Sequence, residues 1–137
     1  MKRALCYLLS LTIIGTIFSC KKDAIPLSNS LAGTWELSID INGLSGKPTY
    51  HKAGNDTLMM FTGDGKYSFY DHDKLTKSGT YIVRLDSSYL YHALKNHIIF
   101  NGEDSGFTRE FFDINNNQLS FFLDANDGPG VVYRRIK

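Results

Sequence analysis

Several groups of side chains have the types and spacing to do chemistry. Asp71-His72-Asp73 offers two carboxylates around an imidazole, donors that a divalent metal takes. The triplet follows an alternating stretch and precedes a lysine-rich turn, so it reads as a solvated hairpin tip. Asp124-Ala125-Asn126-Asp127-Gly128 brings oxygens together as a calcium loop does. An EF-hand needs oxygens at alternate positions and a glutamate at the twelfth. Here alternation fails at Asp127, and the twelfth residue from Asp124 is Arg135, so this stretch also reads as a turn. His51, His92 and His97 lack the close pairing of a zinc site. Ser87, Ser88 and Ser105 lack the context of a nucleophile elbow. Glu103 and Asp104 adjoin each other, as carboxylates commonly do at turns. The expectation is a protein that is not an enzyme and uses no metal or cofactor.

Cys20 is different, because of what precedes it. Met1-Lys2-Arg3 is basic, and Ala4 to Phe18 is an almost wholly apolar, uncharged run of 15 residues. A bilayer-spanning helix needs about 20 apolar residues, so the run is short for a permanent anchor and suits a secretory signal peptide over residues 1–19. The junction Ile17-Phe18-Ser19-Cys20 resembles a bacterial lipobox, with Ile17 and Ser19 in keeping and Phe18 bulkier than that pattern has. The resemblance implies cleavage after Ser19, acylation of Cys20, and a lipid bilayer as partner. Each buried acyl CH₂ contributes about 0.8 kcal/mol, so two or three chains hold a protein essentially permanently. The same resemblance implies the outer membrane of a cell envelope as the destination, because the residue directly after the cysteine is Lys21 and not an aspartate. Residues 20–30 then form a polar tether spanning roughly 17 Å if flexible.

Cleavage changes the composition. Loss of Lys2 and Arg3 takes 15 basic side chains to 13 against 14 acidic ones, a net charge near −1. Nothing there attracts nucleic acid. Cys6 leaves with the signal and Cys20 carries lipid, so the mature chain has no disulfide and depends on its core. Ser30 to Lys137 is 108 residues, enough for one domain.

The elements that position these groups are short strands. Period-2 alternation runs through Gly33–Ile41, with Trp35, Leu37, Ile39 and Ile41 on the apolar face. A loop follows over 42–55, carrying Tyr50 and His51. Thr57–Thr62 and Lys66–Tyr70 flank a Gly63-Asp64-Gly65 turn, and Thr80–Leu85 alternates again. Ser87–Asn96 is the least strand-like part and could hold one helical turn. Phe107–Ile114 and Leu119–Leu123 flank Asn115-Asn116-Asn117, and Val131–Ile136 closes the chain. Eight or nine strands with turns between them argue for an all-β fold, a small up-and-down antiparallel barrel or a sandwich.

Leu31-Ala-Gly-Thr-Trp35, Phe61-Thr-Gly-Asp-Gly-Lys-Tyr67, Ser78-Gly-Thr-Tyr81 and the closing Tyr133-Arg134-Arg135 resemble lipocalin-like domains of envelope lipoproteins over most of residues 31–137. The resemblance implies a barrel of about eight strands. In it Trp35 plugs one end, with Arg134 or Arg135 packed on its ring. It also implies a small apolar ligand held by aromatic inner faces, for which Tyr67, Phe69, Tyr81, Phe111 and Phe121 are the candidates. The alternative is a protein-contacting module with a filled barrel, such as an inhibitor or a complex subunit, meeting a protein partner through loop 42–55.

Overall fold

The computed structural model describes residues 30–137 with the exception of Ser105 and Phe107. The signal segment, Cys20 and nearly all of the tether lie outside the described residues. Nine strands form: β1 Gly33–Ile41, β2 Pro48–Tyr50, β3 Thr57–Phe61, β4 Lys66–Asp71, β5 Lys74–Ser88, β6 Ala93–Phe100, β7 Glu110–Asn115, β8 Gln118–Leu123 and β9 Gly130–Arg135. From β3 to β9 each strand pairs antiparallel with the next, and β1 pairs with both β3 and β9. Eight strands thus close into an up-and-down barrel, the one of the two all-β forms that the lipocalin-like resemblance implies, and β2 adds a short ninth strand to β1.

Closure happens at the β1–β9 seam, where Trp35 stands opposite Arg135 and Glu36 opposite Arg134. Cross-strand partners share a face. Trp35 and Arg135 therefore point inward at one end, here the closed end. The Arg135 guanidinium lies 4.0 Å from the Trp35 ring centroid, and Trp35 Nε1 donates to Leu31 O at 2.8 Å. Arg134, of the two arginines, turns outward and meets Glu36 at 3.1 Å. The glycine of Gly33-Thr-Trp35 has a steric reason. Its φ is +144°, and an added Cβ would stand 2.6 Å from Lys137 O.

Aromatic rings fill the middle of the barrel. Phe61 meets Tyr81 edge-on at 5.0 Å, Tyr67 meets Phe100 at 4.7 Å, and Phe112 and Phe121 lie 5.9 Å apart. Met59, Ile98 and Leu119 complete the packing. Such pairs contribute about 0.5–1.5 kcal/mol beyond the area they bury.

Three local features depart from the alternation. The β1–β9 register shifts between Leu37 and Ile39, a bulge that sets Asp40 opposite Val131, a residue packed on the core. Past Leu37 the inward positions therefore change parity, and Asp40, not Ile39 or Ile41, faces the interior. Second, β3 covers β1 only from Gly33 to Glu36. Part of the predicted loop 42–55 becomes β2 and pairs with Ile39–Ile41, satisfying an otherwise bare edge. Third, β5 runs for 15 residues. Just past Gly79, where a Cβ would collide with the Asn101 side chain, it passes from pairing with β4 to pairing with β6, and it continues with β6 well past the other strands. Ser87–Asn96 forms no helical turn. It is the end of this hairpin, folded over the outer face of β7 and β8.

Asp124 latches that fold-over. Its carboxylate accepts from Ser88 Oγ at 2.6 Å, from the amides of Tyr89 and Leu90 at 2.9 Å each, and from Arg109 at 2.7 Å. Tyr91 packs edge-on against Phe122 at 5.0 Å, and Lys95 pairs with Asp113 at 2.8 Å. The other face of the hairpin is left to solvent, with Leu85 64% and Leu94 67% exposed.

Two stability measurements follow. Trp35→Ala is expected to cost about 3–5 kcal/mol in urea melts, as truncation of a buried aromatic does, whereas an outlying ring would cost under about 1 kcal/mol. Burial works to raise the Asp124 pKa, but the Ser88 hydroxyl, the Leu90 and Tyr89 amides and the Arg109 charge outweigh it and hold it below the ordinary 3.8. A depressed carboxyl stabilises above its unfolded pKa and loses that contribution as pH falls through the folded value. Asp124→Ala should cost about 1–3 kcal/mol at neutral pH, and its gap from wild type should narrow below pH 3.8 in acid titrations of the urea midpoint.

Candidate functional site

The end of the barrel opposite Trp35 is the mouth, bounded by the far end of β1, the start of β7, the end of β8 and the start of β9. An open cleft of about 210 Å³ lies there, lined by Glu110, Phe121, Phe122, Leu123, Pro129, Gly130 and Val131. Glu110 stands opposite Leu123 on one side and Ile98 on the other, two places before Phe112. Ile98 and Phe112 belong to the core, so this carboxyl is carried on the inner face. A second cleft of about 270 Å³ adjoins it and is more polar, with Lys77, His97, Ile98, Phe100, Glu103, Thr108 and Glu110 around it. It forms because β6 and β7 pair over only three residue pairs and then diverge.

Glu110 separates the two clefts. Burial pushes its pKa above the ordinary 4.5, and the Lys77 charge pulls part of the way back. Tyr133 lies deeper, and its hydroxyl is pushed up to about 12, by burial first and then by the charges of Asp40 and Glu110. The bulge in β1 is what turns Asp40 to this side. His51 Nε2 stands 2.9 Å from its carboxylate. The mouth thus combines an apolar floor with a hydroxyl and two carboxyls, and Lys77 stands on the polar side.

Of the five residues put forward as ligand-binding, Tyr67, Phe69, Tyr81 and Phe121 lie inside the barrel. Tyr67 and Phe69 are 4.9 Å apart, and Tyr81 donates its hydroxyl to Thr62 O at 2.8 Å. Phe121 alone of these reaches the mouth cleft. Phe111 is a correction: it is buried on the outer face, stacked on His97 at 5.1 Å and on Phe122 at 6.1 Å under the folded-over hairpin. The doublets Phe111-Phe112 and Phe121-Phe122 are apolar on both faces, so alternation alone could not say which ring pointed in.

The acidic stretches have structural places. Asp71-His72-Asp73 is the β4–β5 hairpin tip, with His72 and Asp73 at φ of 49° and 60°. Asp124 is fully engaged as the latch. Asp104 meets Arg84 at 2.6 Å, and His97, 2% exposed, lies 3.3 Å from Asp86. Among the described residues no three His, Cys, Asp or Glu side chains converge as metal ligands. Comparison with protein-family models, curated proteins and solved structures finds no match for this chain. The class that the geometry defines is an eight-stranded antiparallel β-barrel with an aromatic interior and a carboxyl-bearing mouth.

The Glu110 shift has a measurable consequence. A folded pKa raised above the unfolded value favours the fold below the unfolded pKa and costs stability as pH rises through the folded value. Glu110→Gln removes the titrating carboxyl. Its urea midpoint should gain on wild type as pH rises from about 4 to 8, and a pH-independent offset would contradict the shift.

Proposed function

We propose that this chain is a lipocalin-like lipoprotein of the cell envelope, held to the outer membrane through an acylated Cys20, and that its barrel holds a small apolar ligand at the mouth. The reading is non-enzymatic. The anchor rests on the residues around Cys20, and the lipocalin likeness on the Gly-x-Trp plug with its stacked Arg135 in a closed eight-stranded barrel. The ligand reading is carried by one observation, the mouth cleft floored by Phe121, Leu123 and Val131. The filled interior keeps a ligand near the rim, so it is smaller than the drug-sized molecules that pockets of 300 Å³ and more accept. Burying about 200 Å² of apolar ligand contributes roughly 5 kcal/mol before association costs, which sets affinity at micromolar or weaker.

A second reading has its own observation. The exposed face of the β5–β6 hairpin, with Leu85 and Leu94, suits a protein-contacting module whose barrel serves only as scaffold.

Two experiments separate these. Metabolic labelling with a radioactive fatty acid should mark the wild type and miss Cys20→Ser; equal labelling of both removes the anchor. Titration with an uncharged naphthalene dye should give saturable fluorescence that Val131→Trp, which fills the cleft, abolishes. Absence of saturation in the wild type favours the protein-contacting module.

A further inference from the structure

The mouth cleft has a property that an apolar ligand alone does not use. Its lining is hydrocarbon and aromatic apart from Glu110, whose side chain makes no hydrogen bond or ion pair among the described residues. Three other carboxylates have company: Asp40 has His51, Asp86 has Arg84, and Asp124 has Arg109. The next charge along the seam from the cleft is again negative, because Asp40 stands opposite Val131. The cation in reach, Lys77, lines the polar cleft on the far side of Glu110, 5.9 Å from the Phe100 ring centroid.

Three kinds of occupant can be compared. A purely apolar molecule would cover Glu110 without giving it a partner, and a buried polar group left unsatisfied loses much of what the contact gains. A carboxylate would set like charge against Glu110 and Asp40. An ammonium donates hydrogen bonds to Glu110, is attracted by both carboxylates, and leaves its apolar body for the ring and aliphatic floor. The cleft volume of about 210 Å³ suits one aromatic ring or a short branched chain.

We propose that the mouth cleft takes a small primary amine, its apolar body seated on Phe121, Leu123, Pro129 and Val131 and its ammonium bound to Glu110. This rests on the mouth-cleft reading above and names its ligand class.

The full chain in lipid nanodiscs, with empty nanodiscs as blank, is titrated with 2-phenylethylamine, 2-phenylethanol and 3-phenylpropionate by saturation-transfer NMR. These probes share a ring and differ in the charge of the tail. The amine should bind about tenfold more tightly than either of the others, the size of effect one charged hydrogen bond gives. Glu110→Gln should erase that preference and leave the alcohol unchanged, whereas Lys77→Met should leave the amine as tight or tighter. If the alcohol or the carboxylate matches the amine in the wild type, the amine inference fails and the cleft stands. Loss of amine binding in Lys77→Met also overturns it. If none of the three binds, the cleft reading fails with it. The probe series on the wild type decides the matter even where a variant does not fold.

Discussion

Everything in this fold depends on the seam where the last strand returns to the first. An antiparallel sheet with free edges exposes unpaired amides and carbonyls, and closure removes them. Here β9 pairs with β1 along almost its whole length, from Trp35–Arg135 to Ile41–Gly130. The closed end concentrates what makes the seam tight. Gly33 lets the C-terminal carbonyl approach, Arg135 lies on Trp35, and the same guanidinium donates to Ser30 O and Ala32 O. Glu36, 4% exposed, is engaged from outside by Arg134 and by the amides of Gly54 and Asn55. The loop after β2 is thereby tied to the seam as well.

A closed eight-stranded barrel has an interior just wide enough to be filled by side chains or to hold one small ligand. This chain fills most of it with Trp35, Phe61, Tyr67, Tyr81, Phe112 and Phe121. Open space is left at the rim. The outer wall has a small core of its own, built from Phe111, Phe122, His97 and Tyr91 under the folded hairpin. That arrangement explains how a sequence can carry adjacent phenylalanines in two neighbouring strands without exposing either row.

The fold class was legible because alternation and turn residues recur at short spacing. The burial of Trp35 was legible too, from the alternating strand around it, while its place as a plug came with the lipocalin-like resemblance. Which arginine covers it was not, since that depends on a register only pairing defines. The mouth was the least legible part. Asp40 looks outward in strict alternation, and only the bulge after Leu37 turns it in. Glu110 sits at the inner positions of its strand, but the Phe111-Phe112 doublet conceals the phase. Tertiary pairing, not local pattern, brings β1 against three consecutive strands, β7, β8 and β9, to assemble this site.

The bond from Thr34 N to Lys137 O, 2.9 Å long, has a consequence for how the barrel can be rewired. The two ends of the fold lie side by side at the closed end, as chain termini often do where circular permutation is tolerated. A few small residues would splice Lys137 to Ser30. The His72–Asp73 tip, exposed and tied outside its hairpin by the bond from His72 N to Asp56 O, then becomes a natural place to open the ring. In such a rewired chain the β1–β9 seam would be an ordinary hairpin, closed locally instead of across a hundred residues, and the slowest contact of the barrel to form would move elsewhere.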